Sequence, residues 1–132
     1  AYITTGEKNK LPVFLPKGLK IIAKLSQLNT KNMLWVEKTI LMNASKISKK
    51  KWIQYYTRQL KKCKPGLNIM IVHLGYNDEE LRKITSNQEK FGSKWRSLDL
   101  DFVKSDEFKK IIQEEDIHVI SWKSVKNAIY SE

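Results

Sequence analysis

Only one cysteine, Cys63, stands among the 132 residues, so no internal disulfide can form. That excludes the small disulfide-stapled class and fits a reducing compartment. No apolar run exceeds four residues, 69–72 being one of that length, far short of the roughly 20 that cross a bilayer. No secretory leader is expected either, because residues 1–10 are polar and no apolar stretch follows them. A cytoplasmic protein with no membrane partner is the expectation. Histidine is scarce: His73 and His118 are the only two, and no HxxxH, HExxH or CxxC spacing occurs. Acids are nearly absent from residues 1–66, which hold only Glu7 and Glu37.

What is present is lysine. Residues 1–66 carry 15 Lys+Arg against two acids, a net of +13, whereas residues 67–132 carry ten against twelve, a net of −2. A basic half marks a surface for a polyanion or an acidic partner, or simply a solvated lysine face. Arg58, Arg82 and Arg96 are the only arginines, which disfavours bidentate phosphate reading.

Residues 1–18 hold Gly6, Pro12, Pro16 and Gly18 and read as an extended opening segment. A helix over 17–28 with Leu19, Ile22, Ala23 and Leu25 inward follows, then a strand over 34–42. From residue 45 the period turns helical. Trp52, Ile53, Tyr56, Leu60 and Cys63 form one stripe, Asn43, Ser45 or Ser48 can cap it, and Pro65-Gly66 stops it. Residues 67–73 read as a buried strand, and Asn77 as the cap of an acid-led helix over 78–84. Residues 85–94 read as a loop. A helix led by Ser105, a buried strand over 117–122 and a closing helix over 123–130 complete the order. Alternating strands and helices predict one α/β domain over 1–132 with parallel strands.

His73 is the leading chemical candidate. It ends a predicted parallel strand, where α/β sites collect, and imidazole exchanges protons near neutral pH. His118 falls at the opposite strand end, where residues serve stability. Asp78, Glu79 and Glu80 are explained by a helix start. Asp99 and Asp101 alternate with Leu98, Leu100 and Phe102, as site residues or as solvent-facing polarity. Trp95-Arg96 pairs an aromatic with a guanidinium, a combination that stacks on sugars or binds carboxylates.

The stretch over residues 60–125 resembles the YdjC-like (ChbG/HpnK-type) carbohydrate deacetylases. Lys64-Pro65-Gly66, Ile71-Val72-His73-Leu74-Gly75-Tyr76-Asn77-Asp78-Glu79-Glu80-Leu81, Trp95-Arg96-Ser97-Leu98-Asp99-Leu100-Asp101-Phe102 and Ser105-Asp106-Glu107-Phe108 carry the likeness. Leu74 replaces the usual proline and Asn77 the usual aspartate. The resemblance implies the carboxyl-terminal half of a distorted (β/α) barrel. In the complete family enzyme a divalent metal (Zn or Mg) activates water to remove an acetyl group from an N-acetylated amino sugar. It further implies His73 and Arg96 as catalytic, and Tyr76 and Trp95 as substrate-binding. The metal ligands belong to an amino-terminal half with no counterpart here. No cofactor is therefore expected on this chain alone, which should be inactive until a missing half or oligomeric partner completes the site. The alternative is a non-enzymatic basic module binding nucleic acid or another polyanion through residues 46–64. Its charges run from Lys46 to Lys64, with Trp52, Tyr55 and Tyr56 interleaved for base stacking.

Overall fold

The computed structural model describes residues 2–44, 46 and 48–130, so the Ser45 cap candidate lies outside the described residues. The described residues form a mixed α/β structure: seven α-helices, a 3-10 turn and an open sheet of three strands. Where a single domain is expected, the chain divides into two compact units. One is drawn from residues 1–39, 64–69 and 118–132, the other from 40–63 and 70–117.

In the first unit, helix α1 (Tyr2–Lys8) and strand β1 (Val13–Pro16) occupy the segment expected to be extended. Gly6 permits their close approach: a Cβ there would lie 2.1 Å from Val13 Cγ2. β1 pairs in parallel with β2 (Met33–Leu41), Val13 opposite Met33 and Pro16 opposite Val36. β3 (Leu67–Ile71) lies on the other side of β2. Having a neighbour on one side only, β3 is half-buried, not the buried strand that its apolar run predicts. Residues 17–28 hold a 3-10 turn (Lys17–Leu19) and a shorter helix, α2 (Lys20–Leu25). Only Ala23 is buried there; Leu19, Ile22 and Leu25 point outward, against expectation. The strand expected over 117–122 does not form. Residues 117–121 take no regular structure, Val119 is 75 % exposed, and α7 begins at Trp122 (Trp122–Tyr130). An apolar alternation specifies a strand only when a second strand receives its backbone groups, and among the described residues none pairs with this segment.

The second unit is built on α3 (Lys49–Leu60), α4 (Glu79–Ile84), α5 (Ser93–Lys104) and α6 (Asp106–Glu114). The expected stripe holds: Trp52, Tyr56 and Leu60 are buried at i, i+4 and i+8, with Ile53 and Cys63 packed beside them. Ser48 caps α3, its side chain accepting from the Lys51 N–H. Asp78, one residue past the expected Asn77, caps α4 by accepting the Leu81 N–H at 2.8 Å. Ser105 caps α6 by accepting the Phe108 N–H. Trp95, Phe102 and Ile111 complete the core with Ile40 and Met42.

Candidate active site around His73 and Asp99

α5 starts two residues before Trp95, so Trp95, Arg96, Asp99 and Asp101 stand on a helix and not beside a loop. Thr85 fixes this start: its hydroxyl donates to the Leu81 carbonyl at 2.6 Å and accepts the Ser93 N–H at 2.9 Å. On a 3.6-residue period Trp95, Asp99 and Phe102 share one face, and all three are buried. Asp101 points outward instead and pairs with Lys49 at 2.7 Å.

Asp99 is 0 % exposed, a carboxylate inside an aromatic core. Burial of a charge is tolerated only when its lone pairs are filled. Oδ1 accepts the Trp52 indole N–H at 3.1 Å and the Tyr56 hydroxyl at 2.7 Å. Oδ2 accepts the backbone N–H of His73 at 2.8 Å. A carboxylate offers about four acceptor positions, so one remains. The His73 Nδ1 faces it, 4.0 Å from Oδ2, buried and without a hydrogen-bond partner. Burial, then the hydrogen bond and charge of Asp99, push the Tyr56 phenol far above its ordinary value and keep it a donor.

His73 keeps 30 % of its side chain exposed, and its ring lies against Phe91 with centroids 4.4 Å apart. Phe91 sits in the left-handed region at φ 62°, a costly conformation for a bulky residue. Arg96 holds it there, its Nε donating to the Phe91 carbonyl at 2.7 Å. Arg96 thus touches the backbone of the residue whose ring lies against His73. A Cβ on Gly75 would lie 3.3 Å from the Arg96 Cβ, so the turn after His73 packs directly on that side chain.

The remaining expectations separate. Trp95, at 3 % exposure and edge-on to Trp52, is core and offers no face to a sugar. Tyr76 is exposed, with the Lys104 ammonium 5.8 Å from its ring centre. His118, in the first unit, is exposed. Asp99, open in the sequence as a site residue or as solvent-facing polarity, is a buried carboxylate beside His73. Its i, i+4, i+7 relation to Trp95 and Phe102 is the signal that reveals it. Among the described residues no group of three His, Cys, Asp or Glu side chains could hold a metal ion, and Asp99 has all but one acceptor position committed. These residues do not fit the metal that the family resemblance implies. No protein-family model matches this sequence, and comparison with curated proteins returns no match.

Proposed function

We propose that the chain is the carboxyl-terminal portion of a YdjC-like carbohydrate deacetylase, contributing His73 to a site completed by residues outside these 132. The observation that supports this reading is the partly exposed imidazole of His73 with its Nδ1 turned to the buried Asp99. Removal of an acetyl group from an amide needs a proton on the departing amine nitrogen as the C–N bond breaks. A protonated His73 donates it from Nε2, while Asp99 stabilises the imidazolium through Nδ1 and holds the ring in that orientation. Phe91 and Arg96 fix the ring's plane. The carbohydrate meets this chain at the exposed Tyr76.

The polyanion reading has fewer supports. Trp52 and Tyr56 are buried, and the Tyr55 hydroxyl donates to the Leu41 carbonyl at 2.8 Å, so stacking partners for bases are lost from residues 46–64.

The test is acetate release from N-acetylated amino sugar oligomers. The chain with added divalent metal releases none; fused behind the amino-terminal half of a YdjC-like deacetylase it does, and His73→Ala in the fusion abolishes release. Turnover by the chain alone, or a fully active His73→Ala fusion, overturns the reading.

A further inference from the structure

The first unit carries an aliphatic face on α2 and the turn behind it. Leu19, Ile21, Ile22, Leu25 and Leu28 are all exposed, Ile21 to 72 % and Leu25 to 78 %. Ile21 and Leu25 are four apart, and Ile22 and Leu25 three apart, so they are neighbours on the helix surface. Leu28 is held at the helix end by its N–H to the Ala23 carbonyl at 3.1 Å. At about 180 Å² per fully open residue, the five leave roughly 500 Å² of surface exposed, at the upper range for the largest apolar patch of a monomer.

Lys17, Lys20 and Lys24 interleave with these residues, and residues 1–39 hold seven lysines against Glu7 and Glu37. Glu37 is already paired with Lys17. The Lys20 ammonium stands 5.9 Å from the centre of the Trp35 ring. The face is thus apolar with a positive border. A second copy would set lysine against lysine. A partner helix seeks a groove, but a nearby cavity of about 460 Å³ takes in Tyr2, Leu15 and Leu28 and none of Ile21, Ile22 or Leu25. Projecting aliphatic side chains among cations suit an anionic bilayer surface, which needs no matching shape.

We propose that this face docks onto an anionic lipid surface, Ile21, Ile22 and Leu25 entering the headgroup–acyl boundary while Lys20 and Lys24 meet lipid phosphates. Lying on a membrane differs from crossing one, and no helix among the described residues is long and apolar enough to cross. The proposal stands on the first unit alone and is independent of the deacetylase reading.

Co-sedimentation of the full chain with phosphatidylcholine vesicles, with and without phosphatidylserine, tests it. Binding is expected to the mixed vesicles only, falling steeply between about 50 and 500 mM salt. The Ile21→Ser, Leu25→Ser pair changes only exposed side chains, so its circular dichroism stays that of the parent while binding weakens at least about tenfold. Lys20→Gln with Lys24→Gln weakens it about tenfold or more. No binding, equal binding to neutral vesicles, or undiminished binding by the serine pair overturns the proposal. Self-association in sedimentation equilibrium that the serine pair abolishes would assign the face to a second copy and also overturn it.

Discussion

Asp99 holds the backbone of His73: its Oδ2 accepts that residue's N–H at 2.8 Å and stands 4.0 Å from the Nδ1 of the same residue, beyond hydrogen-bond reach. A fully buried carboxylate on α5 thereby fixes the backbone of the proposed proton donor and lies beside its ring.

Asp99→Asn is expected to cost about 3 kcal/mol or more. Every partner of Asp99 is a donor, so an amide nitrogen at either position faces an N–H or O–H it cannot accept. Urea unfolding measures the loss, and a difference under about 1 kcal/mol would count against the network.

Tyr56 predicts an alkaline weakness. Its folded phenol resists ionisation that the unfolded phenol, at its ordinary value of 10.0, does not. The unfolded state therefore loses its proton first. Tyr56's contribution is full below about pH 10 and declines above it, by up to about 1.4 kcal/mol per pH unit. Tyr56→Phe should be less stable at neutral pH by about 1.5–3 kcal/mol yet show a shallower decline above pH 10. Parallel pH curves for the two proteins would sink this assignment.

Arg96→Ala should free Phe91 from its left-handed conformation. The His73 ring protons then lose the ring-current displacement of Phe91, visible by NMR as a move toward random-coil shifts. Phe91→Ala should produce the same change. Unmoved His73 resonances in Arg96→Ala would refute the positioning role.

α2 ends in a Schellman motif whose left-handed residue is Gln27, at φ 54°, with the Leu28 N–H on the Ala23 carbonyl and the Gln27 N–H on the Lys24 carbonyl. Gln27→Gly relieves the Cβ penalty and should stabilise the protein by about 0.5–1 kcal/mol, read as a rise in thermal midpoint. An unchanged or lower midpoint would argue against that turn.

Local regularities were legible where one element sufficed to specify them. The Trp52–Tyr56–Leu60 stripe, the acid-led helix after Ser105 and the closing helix follow from spacing and short-range hydrogen bonds alone. The strand expected at 117–122 failed because a strand is a property of a pair. The inward faces assigned to Leu19, Ile22 and Leu25 failed because periodicity says which residues share a face, not whether anything covers it. Between the two readings of Asp99, site residue or solvent-facing polarity, only the helix over Ser93–Lys104 decides, because it sets Asp99 on the buried face with Trp95 and Phe102.

The sequence by itself determined the helix-forming periods, the lysine-rich first half, the lack of a membrane-crossing run and the candidacy of His73. Only tertiary structure decided that Asp99 is buried, that three donors from α3 and the β3 end converge on it, and that Trp95 is core. A hydrogen-bonded carboxylate draws its partners from residues 26, 43 and 47 positions away. No local pattern encodes such distances; they exist only once apolar burial has brought α3, α5 and the end of β3 together.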